Sequence, residues 1–189
     1  MDINIDVFDS KSVEKAIKQL NKVKALYPKM VEVLLQRSCE RLKEMARANL
    51  YNSDIGSDVI AEVDSQWEIV NNGDSAILKN GEGKGYMVEF GVGIVGQYNA
   101  HPLARIEGYE YNIDTVHKNQ AGAWRFKVGG KDSVDLKENY YTLSEGQRGY
   151  TVETKGSPAT LFCYNALVDF VRSKEPQRIW DNICKEYIK

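Results

Sequence analysis

Residues 84–102 read KGYMVEFGVGIVGQYNAHP, and the way this stretch folds decides how the rest of the chain is arranged. Gly91-Val92-Gly93-Ile94-Val95-Gly96 spells G-x-G-x-x-G, the glycine string that lets a chain turn tightly beneath a pyrophosphate. That chemistry needs a buried strand before the glycines and a helix after them. On the near side, Tyr86, Val88 and Phe90 fit a strand, while Tyr86, Met87 and Phe90 fit a helix, so both periods stay open. On the far side, Gln97-Tyr98-Asn99-Ala100-His101-Pro102 is no helix start, because Pro102 would fall within its first turns. No nucleotide is therefore expected at these glycines.

Upstream, Ile3, Ile5 and Val7 alternate with Asp2, Asn4 and Asp6, the pattern of a short half-buried strand. Asp9 or Ser10 can cap a first helix with Val13, Ala16, Ile17, Leu20 and Val23 on one face. Tyr27-Pro28 should interrupt it, since the residue before a proline avoids the helical region. A second, longer helix is predicted over about 28–50, with Val31, Leu34, Leu35, Cys39, Leu42, Met45 and Ala46 as its apolar stripe. Its charged residues read as a solvated face with i,i+4 pairs. Residues 51–64 read as a polar connector. The runs 66–70 and 76–78 flank Asn71-Asn72-Gly73-Asp74 and predict a β-hairpin. Residues 80–85, rich in glycine, read as a flexible loop entering the opening stretch.

Downstream, residues 97–123 show no periodicity and read as a long loop or insertion carrying Tyr98, His101, Tyr109, Tyr111 and His117. Trp124-Arg125-Phe126-Lys127-Val128 alternates as a strand, and further short strands are expected near Tyr140-Tyr141-Thr142-Leu143 and Tyr150-Thr151-Val152-Glu153. Ser157 as N-cap and Pro158 at the first helical position open a C-terminal helix with Leu161, Phe162, Cys163, Ala166, Leu167, Phe170 and Val171. Pro176 breaks it and starts a last helix with Ile179, Trp180, Ile183, Cys184 and Tyr187 on its apolar side.

Composition sets bounds on function. At 189 residues, 42% hydrophobic and 28% charged, the chain is sized for one domain, 1–189, with a single sizeable core. A net charge of −2 argues against a general nucleic-acid binder, which clusters positive charge, but not against a protein that DNA passes. Asp2, Asn4 and Asp6 interrupt any apolar leader, and no run is long enough for a membrane helix. Cys39, Cys163 and Cys184 are odd in number and far apart, so they read as reduced thiols.

No hydrolase, zinc or dithiol motif is present in the sequence, and no cofactor or metal is expected. His101 and His117 lie in the irregular segment, where a histidine is ordinarily a surface residue. Cys163 follows an apolar Phe162 and reads as core. Glu89 has two readings: a solvated carboxylate on an amphipathic element, or a subunit-interface partner for a basic side chain.

Tyr86-x-x-Glu89-Phe90-Gly91-x-Gly93, after a lysine and a glycine-rich loop, resembles the central motif of a bacteriophage family of tail-completion or head–tail joining (neck) proteins. Gly156-x-Pro158-Ala159-x-x-Phe162-x-x-x-Ala166 is similar to that family's second signature. The resemblance implies that a short helix ends in Glu89-Phe90-Gly91, with Gly91 in the left-handed cap position. Val92 stands where the family commonly has threonine. The part between the motifs, about 97–153, is longer than the family leads one to expect.

The resulting expectation is an α+β fold: a small antiparallel sheet packed by a long N-terminal helix and C-terminal helices, with a loop-rich insertion over about 97–153. The resemblance implies a structural, non-enzymatic virion component, assembled in the host cytoplasm. It would be a homo-oligomeric ring between head connector and tail-tube or tail-terminator proteins, passing DNA without sequence-specific binding. Candidate subunit-interface residues are Tyr86, Glu89, Phe90, Gly91, Gly93, Tyr98 and His101. Two alternatives come from other classes. One is a nucleotide-binding enzyme using the 91–96 loop; the other is a protein-binding module with an aromatic-rich insertion.

Overall fold

The structure, a computed structural model, describes residues 8–81, 83–109, 111, 124–128, 141–146, 149–154 and 156–188. The strand expected at 3–7, His117, and the greater part of the segment after Tyr111 lie outside those residues. The elements run α1 (Ser10–Tyr51), α2 (Ser57–Asp64), β1 (Trp67–Asn71), β2 (Ala76–Asn80), α3 (Lys84–Phe90) and α4 (Gly93–Tyr98). They continue with β3 (Trp124–Val128), β4 (Tyr141–Gly146), β5 (Gly149–Thr154), β6 (Gly156–Ser157), α5 (Phe162–Arg172) and α6 (Glu175–Tyr187). The α+β arrangement expected from the sequence is present, with a small two-stranded antiparallel sheet and flanking N- and C-terminal helices.

The hairpin β1–β2 forms where Asn71-Asn72-Gly73-Asp74 placed it. Gly73 takes φ +91 and donates its N–H to Asn71 Oδ1 at 2.9 Å, an Asx-turn that reverses the chain. A second, three-stranded antiparallel sheet has the order β3-β5-β4, with Phe126 opposite Val152 on one side and Leu143 opposite Val152 on the other. The insertion therefore carries a sheet of its own.

The expected break at Tyr27-Pro28 is absent: α1 is one helix of 42 residues with Pro28 inside it. A proline within a helix costs about 3 kcal/mol by removing one N–H and crowding the preceding turn. Here Pro28 sits on an exposed face, while Met30 on the other side of the helix is fully buried. Continuous burial outweighs the local preference. Asp9 caps the start, accepting from the Lys11 N–H through Oδ1 at 3.0 Å. The polar connector expected at 51–64 also proves to contain a helix, α2, because Ile60 and Val63 point one way and are buried.

The chain divides into two compact units. Met45–Glu68 and Asn80–Leu167 form one. Its core gathers Ala46, Leu50, Ile60, Val63, Val88, Phe162 and Ala166. Trp67 meets Phe162 edge-to-face with ring centroids 6.1 Å apart. Met1–Glu44, Ile69–Lys79 and Val168–Lys189 form the other, in which Ala16, Met30, Cys39, Phe170 and Ile183 are buried. There Tyr27 packs edge-to-face on Trp180. Arg37 grips Glu186 through two bonds of 2.9 Å, and Arg41 approaches Glu175 at 3.7 Å. Part of the charged face of α1 thus ties α6 down, and its local ion pairs, Lys29–Glu32 and Arg41–Glu44, have i,i+3 spacing.

In the unit built on Phe162, Arg47 holds Asp64 through bonds of 2.6 and 2.7 Å, and Tyr51 adds a third at 2.9 Å. Hydrogen bonds from Arg47 hold the Asp64 carboxyl below its ordinary 3.8 against the opposing effect of burial. A carboxylate with a lowered folded-state pKa stabilises above its unfolded value and loses that contribution as pH falls through the folded one. Asp64→Asn should therefore flatten the loss of stability on acidification below pH 3.8. The effect is modest because Arg47 faces water. Denaturant titrations of both proteins at pH 7 and pH 3 measure it; parallel losses on acidification would show that the pair contributes nothing.

Candidate functional site

The opening stretch folds as two short helices, α3 and α4, joined at Gly91-Val92. Of the two periods left open, the helical one holds for Tyr86 to Phe90, and α3 already begins at Lys84, inside what reads as a flexible loop. The strand that a dinucleotide fingerprint needs before its glycines is replaced by a helix, and a helix begins at Gly93, within the glycine string. The glycines have packing reasons instead. Gly91 takes φ +78 with ψ 171, so its φ is positive as expected, but its ψ is extended and not that of a left-handed helical cap. A Cβ on Gly91 would lie 2.6 Å from the Ala159 N and 2.8 Å from both Pro158 C and Ser157 O. A Cβ on Gly96 would lie 2.8 Å from the Gly91 carbonyl carbon.

What presses against Gly91 is the segment that contains the second motif. Ser157 does not cap a helix and Pro158 does not open one; Gly156–Ser157 is the short strand β6, with Ser157 bridged to Val92. The segment then runs along the end of α3, where Thr160 donates its N–H (3.1 Å) and Oγ1–H (2.8 Å) to the Val88 carbonyl. Leu161 donates its N–H to the Glu89 carbonyl at 3.3 Å. Two orphan carbonyls at the C-terminal end of a helix are satisfied this way. Leu161 turns through φ +57, and α5 starts at Phe162.

Glu89 supplies the cap that α5 lacks locally. It is 7% exposed. Its Oε2 accepts from the Cys163 N–H and its Oε1 from the Tyr164 N–H, both at 2.9 Å. A carboxylate there satisfies the first amides of α5 and faces the positive end of its dipole. His101 Nε2 lies 3.0 Å from Oε1 as well. The Leu103 N–H points at His101 Nδ1 at 3.0 Å and must be the donor. Nδ1 is therefore the acceptor, and the imidazole carries its proton on Nε2, directed at Glu89.

His101 is only 4% exposed. It is buried against the Glu89 carboxylate and supports the cap, and is not the surface residue that its loop position implied. Its ring stacks on Phe90 with centroids 4.1 Å apart and meets Tyr164 edge-on. Tyr109 packs on Phe90 and Tyr86, and its hydroxyl donates to the Gly91 carbonyl at 2.5 Å. Burial raises the Tyr109 pKa above its ordinary value. Tyr111 accepts the His101 N–H at 2.8 Å. Within the described part of the 97–123 segment, His101 and Tyr109 thus pack around Phe90.

Of the seven candidate residues, Tyr86, Glu89, Phe90, Gly91 and His101 come together in this cluster, and Gly93 begins α4 beside it. Tyr98, at the end of α4, stands apart and is 85% exposed. Thr160, Leu161, Tyr109 and Tyr111 were not singled out as site residues by the sequence; only the chemistry of a turn entering a helix hinted at the first two. Beside the pair lies a cleft of about 310 Å³ lined by Tyr86, Phe90, Leu103, Cys163, Tyr164 and Leu167 among others. Burial, and after it the Glu89 charge, pushes the Cys163 thiol far up. That thiol is a poor nucleophile. Both nitrogens of His101 are occupied within the chain. Among the described residues no group of His, Cys, Asp and Glu could hold a metal ion, and no helix is long and apolar enough to cross a membrane. No family model, curated protein or solved structure matches the chain.

Proposed function

We propose that the chain is a structural virion component, a tail-completion or neck protein that joins phage head and tail as a ring through which DNA passes. One observation carries this reading. The two short motifs behind the resemblance, 86–93 and 156–166, meet in one construction in which Glu89 caps the helix of the second motif and Gly91 lets its entry segment pass. Two motifs that complete one another physically point to one origin more strongly than either does alone.

The site itself favours a non-enzymatic role. Glu89 and His101 spend their hydrogen bonds on holding α5, as fixed structural groups do. In this reading the ring contacts the head connector on one side and tail-tube or tail-terminator proteins on the other. The test is mass spectrometry of purified phage particles, together with the order of genes around the coding sequence. Peptides of this chain at a copy number that is a multiple of a ring, with capsid and tail genes alongside, are the expected result. Absence from particles and a setting among metabolic genes would sink the proposal.

A further inference from the structure

Residues 10–29, the first half of α1, contain six lysines and a single acid, Glu14. That gives the stretch +5, so with −2 for the whole chain the remainder carries −7. The low net charge therefore hides a strong local asymmetry. Lys11, Lys15, Lys18, Lys22 and Lys29 follow one another at helical spacings of four, three, four and seven residues. At about 100° per residue, these five fall within a single stripe roughly 60° wide. The stripe extends over about 27 Å at the rise of an α-helix. All five lysines are exposed. Among the described residues only Lys29 has an ion-pair partner, Glu32.

We propose that this stripe binds the phosphate backbone of duplex nucleic acid, without regard to sequence. A row of ammonium groups along one helix face can follow a line of phosphates, whose charges recur along duplex DNA at close intervals. Two other polyanions fit less well. An anionic membrane takes up an amphipathic helix by its apolar face, with the lysines on the polar side. Here much of the apolar face is already taken up within the fold, since Ala16 is buried and Tyr27 packs on Trp180, so it is not free to enter lipid. A second copy of the chain would present discrete carboxylates, several of which, Glu32, Asp64, Glu175 and Glu186 among them, are already paired internally, in place of a continuous line of phosphates. The inference rests on charge geometry alone and stands whether or not the chain is a neck protein.

The test is fluorescence anisotropy with a labelled 30-bp duplex of arbitrary sequence, titrated with the full chain at several salt concentrations. With about five phosphates engaged, the slope of log K against log salt should be about −4 to −5. Binding should then weaken by roughly 500-fold between 50 and 200 mM salt. The quadruple variant Lys11→Gln, Lys15→Gln, Lys18→Gln, Lys22→Gln should retain its helical circular dichroism, since glutamine and lysine have similar helix propensity. Its slope should fall to about −1. A control with the same charge change, made at Lys43, Lys79, Lys174 and Lys185, should keep the wild-type slope. Absence of DNA binding at 20 mM salt overturns the proposal, as does equal weakening by both variants. Sedimentation with phosphatidylserine vesicles in the absence of DNA binding replaces it with a membrane surface.

Discussion

Gly91→Ala is expected to destabilise the chain by about 2–6 kcal/mol. Two independent effects add. The residue sits at φ +78 and ψ 171, a region that is nearly glycine-only and costs about 1–3 kcal/mol for any other residue. The added methyl would also enter a space 2.6 Å from the Ala159 N and 2.8 Å from two further backbone atoms. None of these can swing aside as a side chain would, so the segment 157–159 must move off α3, at a further cost of about 1–3 kcal/mol. Gly108→Ala is the control. It shares the positive φ, at +64, but a Cβ there meets nothing within 4 Å, so only about 1–2 kcal/mol of stability should be lost, to backbone strain. Denaturation midpoints of the two variants separate conformational strain from close approach. Equal losses would mean that contact with 157–159 is unimportant, and the convergence of the two motifs would lose its physical basis.

The sequence made the framework readable where local and tertiary preferences agree. The hairpin around Asn71-Asn72-Gly73-Asp74, the three strands after Ala123 and the helix after Pro176 all formed where turn chemistry and periodicity pointed. It misled where they disagree. Pro28 carries a true helix-breaking signal, overridden because the apolar stripe continues on both sides of it. Ser157-Pro158 is a good helix opening by composition, overridden because Ser157 pairs with Val92 and Thr160 and Leu161 bond the end of α3. The site was legible in its members and not in its chemistry. Glu89, Phe90, Gly91 and His101 stood out, yet Glu89 could be read only as solvated or as a partner across an interface. Its actual acceptor work is for two amides 74 and 75 residues away. No pattern of spacing encodes a cap contributed by a distant helix. His101 was hidden for the same reason, since a histidine in an irregular segment gives no sign of burial until the segment is seen to fold over Phe90.

Glu89→Ala should cost about 3–5 kcal/mol in the isolated chain. The truncation leaves three donors without their acceptor, the half-buried Cys163 and Tyr164 N–H and the buried His101 Nε2–H. A buried donor without its acceptor costs about 1–3 kcal/mol, and the loss of a helix cap about 0.5–2. Glu89→Gln keeps the shape and one carbonyl oxygen but turns an NH₂ toward one of the amides. It should fall between, at about 1–3 kcal/mol, since its carbonyl in the Oε1 position can still accept from the Tyr164 N–H and His101 Nε2–H. His101→Phe should be milder still, because the ring stack on Phe90 survives and the two amides of α5 keep their carboxylate. This ordering distinguishes a cap from a contact between subunits. A carboxylate whose only role is to meet a basic side chain of a neighbour can be removed from the isolated chain with a change below about 0.5 kcal/mol. Urea titrations of the three variants at a concentration where the chain is monomeric measure the difference. If Glu89→Ala leaves the midpoint unchanged there and weakens only the assembled form, the carboxylate belongs to an interface. The internal cap then does not hold α5.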